Sequence, residues 1–203
     1  MRSLTLLSGG MDSSVALALE VEARRAAVAL AVHYGSRHND REIESARRVS
    51  SYLKVPLVIE AMPRLKGSLI TTERDVPYSA LSGSETVVFG RNLILASVAA
   101  HHSRLSRCGW MVLGCNQNDH DTYPDCRGSV WDAFNEALFA SAAGVRVHLP
   151  FRGRSKQWIA AEATRLGFPL SLTYSCYAGR EDPCGVCGAC IERNAALMLS
   201  GAG

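Results

Sequence analysis

Leu7-Ser8-Gly9-Gly10-Met11-Asp12-Ser13-Ser14-Val15-Ala16-Leu17 is the stretch on which the fold turns. A short apolar run, Ser3 to Leu7, leads into it, and an Ala- and Leu-rich helical pattern from Ser13 to about Arg24 leads out. The order is strand, loop, helix start. Gly9 and Gly10 remove the Cβ atoms that would hold a polyanion away from backbone N–H groups, while Ser8, Ser13 and Ser14 add hydroxyls at the positive end of the helix. Such a loop suits a pyrophosphate. It lacks both the Gly-Lys-Ser/Thr ending of the commoner phosphate loop and the Gly-x-Gly-x-x-Gly of dinucleotide sites. Two adjacent glycines alone would describe a turn with a serine cap. Six ordered residues, Ser8 to Ser13, set between strand and helix, favour anion binding.

Outward from this loop the chain keeps alternating. Ala26 to Tyr34 is a continuous apolar run, the pattern of a strand covered on both faces. From Asn39, Ile43, Ala46, Val49 and Leu53 recur at helical spacing, with Arg41, Glu42, Glu44, Arg47 and Arg48 on the opposite, charged face. Leu57 to Ile59, Trp110 to Cys115 and Val145 to Leu149 read as further strands. Helices are expected from Gly90-Arg91-Asn92 to about Arg107, around Val130, Phe134 and Leu138, and after a Ser155 cap. Alternation of this kind predicts an α/β fold with a doubly wound, mainly parallel sheet, whose ligands collect at the carboxyl ends of strands. Residues 61 to 85, with Pro63, Gly67 and Pro77, read as a long, partly mobile segment, either a lid or a plain insertion.

Composition bounds the rest. A chain of 203 residues supports one good core with a small appendage, divided here as 1–169 and 170–203. Apolar content of 47% and 20% charged residues describe an ordinary globular protein. The longest strictly apolar run, Ala26 to Val32, is too short to span a bilayer, and the first residues lack a signal-peptide pattern, so a cytoplasmic location without membrane contact is expected. A net charge of +3, scattered among acids, predicts no direct nucleic-acid partner.

Seven cysteines, an odd number without an export pattern, disfavour a disulfide framework. Cys108, Cys115 and Cys126 are dispersed, whereas Cys176, Cys184, Cys187 and Cys190 crowd together, with Gly185 and Gly188 letting the chain turn back. Four thiolates at this spacing suit one structural Zn2+ ion per chain, with no position left open for substrate. A four-iron cluster also takes four cysteines in similar spacing. Four reduced core thiols would sit oddly among Gly, Pro and charged neighbours.

The hexapeptide Ser8 to Ser13 resembles the PP-loop of the ATP pyrophosphatase superfamily, whose members activate a carbonyl or carboxylate by transferring AMP. Tyr34-Gly35-Ser36-Arg37-His38, Gly90-Arg91-Asn92, Tyr123-Pro124-Asp125-Cys126-Arg127 and the stretch from Tyr174 to Cys190 together look like the 7-cyano-7-deazaguanine synthase family of queuosine biosynthesis. The likeness covers nearly the whole chain in the same order. It implies an ATP-dependent ligase that converts 7-carboxy-7-deazaguanine and ammonia to the nitrile, by way of adenylated acid and amide, with small-molecule substrates and a homodimeric assembly.

On this resemblance, Leu7, Ser8, Gly9, Gly10, Met11, Asp12, Ser13, Ser14, Val15, Ala16 and Leu17 are assigned to ATP, with Asp12 on the Mg2+ side or simply stabilising the helix dipole. Arg91 and Lys156 are candidate phosphate contacts. Asp119, Asp121 and above all Asp125 are candidates to accept from the donor edge of a guanine-like ring. Arg37 and His38 stand equally for substrate contact and for a surface turn. Catalytic roles thus fall to Asp12, Arg91 and Asp125. The chain departs from the family pattern at His33, Ser36, Phe89 and His120-Asp121-Thr122, all on the expected substrate edge. Two other readings stay open at this point: a PP-loop tRNA-modifying enzyme that inserts sulfur through Cys108 or Cys126, and a non-catalytic nucleotide-binding protein.

Overall fold

Strands that are apolar on both faces need helices above and below, and the topology provides them. The computed structural model describes residues 1–200; the last three residues of the expected 170–203 region lie outside the described residues. Strands β1 (Ser3–Leu6), β2 (Ala26–His33), β3 (Leu57–Ala61), β4 (Trp110–Val112) and β5 (Arg146–His148) form a five-stranded sheet in the order β3-β2-β1-β4-β5, with every pairing parallel. The chain winds outward from β1 to β3, then crosses back to β4 on the other side of β1. The winding direction therefore reverses between β1 and β4, and an open α/β sheet leaves its ligand crevice at such a reversal.

The period of two along β2 sorts the core. Ala29 and Ala31 face a layer made by α1 (Met11–Glu22), α2 (Asn39–Leu53), α5 (Lys156–Arg165) and α6 (Gly188–Ser200). Val28, Leu30 and Val32 face the opposite layer, which holds α3 (Arg91–Leu105) and α4 (Gly128–Ala140). Small residues on one face of β2 let α1 and α2 approach closely. Ala196 and Leu197 of α6 join this same core, so the cysteine-bearing end is packed into the sheet layer. At the base of α1, Glu20 is buried at 1% exposure and accepts two bonds from Arg25, at 3.0 and 2.7 Å.

Several boundaries differ from those the sequence predicts, for physical reasons. Helix α1 starts at Met11, not Ser13, because Gly10 is extended (φ −72°, ψ 167°) and hands directly to the helix without a side-chain cap. Strand β4 ends at Val112 instead of Cys115. Gly114 passes so near the glycine loop that a Cβ there would stand 2.9 Å from Ser13 N, and the chain must leave the sheet to make that approach. Helix α3 ends at Leu105, where the Ser106 N–H donates to the His102 carbonyl at 2.9 Å.

The largest correction concerns residues 61 to 85. This segment is no free lid: Ile70 and Leu81 are fully buried and pack with Val88, Tyr174, Cys176, Cys187 and Cys190 in a third apolar cluster. The Gly188 N–H donates to the Leu81 carbonyl at 3.0 Å. Among the described residues, no helix is long and apolar enough to cross a membrane.

Candidate active site

The crevice over the β1–β4 reversal holds a cavity of about 230 Å³. Its floor is the glycine loop. Gly9 has φ +84°, and a Cβ there would collide with the Glu42 carbonyl. Its own carbonyl is pulled to the outside, where it accepts from Ser45 Oγ (2.8 Å) and from Tyr174 N (2.9 Å). Turning that oxygen away from the cavity matters, because a carbonyl aimed inward would repel an anion. The first-turn N–H groups of α1 have no intrahelical acceptors and no side-chain cap, which makes them donors for a phosphate.

Leu7, Ser8, Gly10, Met11, Asp12 and Ser13 line the cavity. The Ser8 and Ser13 hydroxyls lie 3.0 Å apart at its edge. Ser14 is placed differently: its hydroxyl donates to the Gly10 carbonyl at 2.7 Å, inside the helix. Val15, Ala16 and Leu17 are fully buried in the core, where they seat the helix that presents the loop.

A knot of charge closes one end. Lys156, the first residue of α5, places Nζ 2.7 Å from Glu192, 3.6 Å from Asp12 and 3.8 Å from Asp119. The fully buried Asn116 amide donates to Asp12 Oδ2 (3.0 Å) and Asp119 Oδ2 (2.8 Å), bridging the two acids. Asp12 Oδ1 is buried and has no hydrogen-bond partner among the described residues. Burial raises the Asp12 carboxyl above its usual range and pushes Asp119 up to about 6, with Lys156 pulling both back. For Lys156 burial opposes the charge, but three carboxylates outweigh it and the ammonium is held firmly protonated. Arg193 of α6, which donates to Thr173 Oγ1 (2.6 Å) and to the Leu170 carbonyl (2.8 Å), also lines the cavity.

The other end is aromatic and buried. Arg91 donates to Tyr34 OH at 3.3 Å and lies over the Tyr34 ring, 5.7 Å from its centre. His38 is 2% exposed and tilts against Tyr177 with ring centres 5.2 Å apart. Burial, with the nearby Arg91 charge, takes His38 down to about 3, so it is neutral. Tyr123 OH links Thr86 Oγ1 (2.7 Å) to Tyr177 OH (3.1 Å). Glu42, on the first turn of α2, enters the same space.

Asp12, Arg91, Asp119, Lys156 and His38 meet in the cavity. Asp125 stands behind it: its Oδ2 accepts from the Asn92 N–H at 3.0 Å, capping the start of α3 next to Arg91. Cys126 accepts from the Asn92 amide at 3.3 Å. Asp121 and Arg37 do not line the cavity, and Arg37 donates to the Arg74 carbonyl. His33, Ser36, Phe89 and His120 to Thr122 also lie outside its lining. Asn116, Glu42, Glu192 and Arg193 escaped the sequence reading, since each is a single polar residue in an ordinary helical or loop context.

The four clustered cysteines have sulfurs within 4.8 Å of one another. A tetrahedral ion with about 2.3 Å metal–sulfur bonds needs separations of about 3.8 Å, so small side-chain rotations suffice. Hydrogen bonds from the Cys187 thiol and from the Cys184 and Ala178 N–H groups overcome burial and take Cys176 down to about 4. The ligand set thus begins from a thiolate.

Comparison with known proteins follows the same lines. The model of the family described as Queuosine biosynthesis protein QueC matches residues 2–201. The 7-cyano-7-deazaguanine synthase of Methanothermobacter thermautotrophicus is 36% identical over 99% of this chain and 96% of its own length. Those of Desulfotalea psychrophila, 36% identical over 96% and 93%, and Ruegeria pomeroyi, 37% identical over 99% and 91%, are similar in extent. Among solved structures, an NMN synthetase from Francisella tularensis superposes with a TM-score of 0.50 at 12% identity, covering 99% of this chain and 84% of that one, a likeness of fold alone.

Proposed function

The chain belongs to the QueC family of queuosine biosynthesis proteins, and from that membership we propose how its cleft works. The enzyme is an ATP-dependent ligase that converts 7-carboxy-7-deazaguanine and ammonia to 7-cyano-7-deazaguanine. A carboxylate is a poor electrophile because ammonia would have to expel oxide. Attack of the carboxylate oxygen on the α-phosphorus of ATP releases pyrophosphate and turns that oxygen into a leaving group. Ammonia then displaces AMP to give the amide. A second adenylation, on the amide oxygen, lets the nitrogen lose its protons as AMP departs, leaving the nitrile.

The observation that carries this reading is the uncapped start of α1, beneath Ser8 and Ser13, at the sheet reversal. Donors fixed there before the reaction stabilise the departing pyrophosphate without having to reorient. Lys156 and Arg193 add positive charge on the same side. The orphaned Asp12 Oδ1, with Asp119 and Glu192 beside it, is a hard oxygen set that fits Mg2+. That ion would supply charge neutralisation on the phosphates. The buried aromatic end, around Arg91, Tyr34 and Tyr177, receives the deazaguanine.

The cysteine set fits one Zn2+ better than a cluster. Four sulfurs this close surround a single ion, whereas a cubane spreads its thiolates over four irons. Such an ion would be structural, keeping Tyr174 to Tyr177 and Arg193 against the cavity. We further read the enzyme as a cytoplasmic homodimer that acts on free small molecules and not on nucleic acid. Neither sulfur insertion nor a non-catalytic role is favoured.

Incubation of metal-loaded protein with ATP, Mg2+, ammonium and 7-carboxy-7-deazaguanine, followed by mass analysis, tests the proposal. The amide should appear first and the nitrile second, with two AMP formed per nitrile. Absence of both products would refute it.

A further inference from the structure

Among the described residues Glu42 is the one acid lining the aromatic end, and its carboxylate is under-supplied. The side chain is 17% exposed. Its Oε2 accepts from the Asn39 amide at 3.1 Å, while Oε1 has only the neutral His38 Nε2, at 3.6 Å. Among the described residues no Lys or Arg nitrogen comes within 4.0 Å of it. Arg91 acts on it only at longer range, because its own donors go to Tyr34 and Asn92. Burial accordingly pushes Glu42 up to about 8, with Arg91 and Asn39 drawing it back. A buried carboxylate short of hydrogen bonds is costly unless a partner supplies the missing donors.

What surrounds that carboxylate indicates the partner. Tyr34, His38 and Tyr177 give flat apolar faces around it, and all three line the cavity. The occupant is therefore a planar ring whose edge carries N–H donors. The other acids once available for that edge are engaged elsewhere: Asp125 with the Asn92 N–H, and Asp119 with Asn116 and Lys156. Asp121 does not reach the cavity lining.

We infer that Glu42 is the residue that selects a 2-amino ring, accepting from the ring N1–H and the exocyclic 2-amino group of the deazaguanine through its two carboxylate oxygens. Two adjacent donors match two adjacent acceptors. A ring without the 2-amino group leaves one oxygen unpaired in a dry site. This assignment rests on the proposed reaction, and it adds the basis of substrate choice. Adenine, with its single amino donor, is the rival occupant.

The test uses the zinc-loaded enzyme with ATP, Mg2+ and ammonium, and two acids: 7-carboxy-7-deazaguanine and its counterpart lacking the 2-amino group. Wild type should prefer the 2-amino acid by on the order of 100-fold or more in kcat/KM, as sites built around a substrate N–H do. Glu42→Gln, which presents one acceptor and one donor, should lose on the order of 100-fold on the 2-amino acid. Its preference between the two acids should collapse, while the KM for ATP stays put. A variant that keeps the wild-type preference overturns the inference. So does one that raises only the KM for ATP, which would place Glu42 on adenine. Should Glu42→Gln fail to fold, equal binding of the two acids to wild type overturns it without a variant. Wild type that makes no nitrile from either acid is a separate result: it removes the proposed reaction, and the inference with it.

Discussion

Replacing Gly9 by alanine should damage the fold, whereas the same change at Gly10 should damage nucleotide use. At Gly9 the backbone has φ +84°, a region that costs an L-residue about 1–2 kcal/mol. The added Cβ would collide with the Glu42 carbonyl and stand 2.8 Å from Ala46 N and 2.9 Å from Ser45 Cβ. These atoms belong to the body of α2 and cannot swing aside as a side-chain tip can. Overpacking of this kind costs about 1–3 kcal/mol. Moving α2 outward also stretches the bonds from Ser45 Oγ and Tyr174 N to the Gly9 carbonyl, each worth about 1 kcal/mol. The sum is about 4–7 kcal/mol, which in a chain of this size lowers Tm by roughly 8–28 °C. Gly10 differs: its φ is −72°, and the nearest atom to a new Cβ is the mobile Ser8 Oγ, at 3.3 Å. Gly10→Ala should keep its Tm within about 3 °C and raise the KM for ATP, because the methyl group lies in the anion cradle. Scanning calorimetry on both variants, with ATP kinetics on the second, checks the pair. A Gly9→Ala protein melting with the wild type, or a Gly10→Ala protein melting as low as Gly9→Ala, would refute the reasoning.

Removing the metal with a strong chelator, or substituting Cys184→Ser, should release one zinc per chain by mass spectrometry and lower Tm, since the third apolar cluster loses its centre. Asp125→Ala should cost about 1 kcal/mol through loss of the α3 cap and lower kcat by misplacing the neighbouring Arg91; Asp125→Asn, which still accepts from Asn92 N, should recover most of both, as urea unfolding and steady-state kinetics would register. For Glu20, burial favours protonation but the Arg25 bonds outweigh it, so the folded pKa lies below 4.5. Its contribution is present above pH 4.5 and lost as pH falls through the lowered folded value; urea midpoints of wild type and Glu20→Gln should therefore converge on acidification.

The parts of this molecule that were legible in the sequence are those set by local rules. Adjacent glycines between a strand and a helix, apolar runs long enough for covered strands, and four cysteines at turn-compatible spacing each impose a geometry by themselves. The extent of β4 did not follow, because it is cut short by Gly114 meeting Ser13 N across the sheet. Residues 61 to 85 looked loose because their composition is polar; two apolar residues, Ile70 and Leu81, suffice to pin them. Glu42 was hidden for a related reason. It lies within the charged face of α2, beside Arg41 and Glu44, and only the burial of that helix's first turn separates it from its solvated neighbours. Asp125 shows the converse: the matched stretch Tyr123 to Arg127 drew attention to this loop, and its carboxylate accepts from the Asn92 N–H at the start of a helix, a role its spacing did not announce.

The bond from Tyr174 N to the Gly9 carbonyl joins positions roughly 165 residues apart. A chain grows from its N-terminus at about 5–20 residues per second, so the glycine loop exists for roughly ten to thirty seconds before its anchor has been made. Through that interval the sheet can form, yet the loop's outward carbonyl is held by Ser45 alone and Arg193 is still to come. The cradle is thus completed late in the life of each molecule, when the cysteine-bearing end docks and Tyr174 and Arg193 take their places beside the loop.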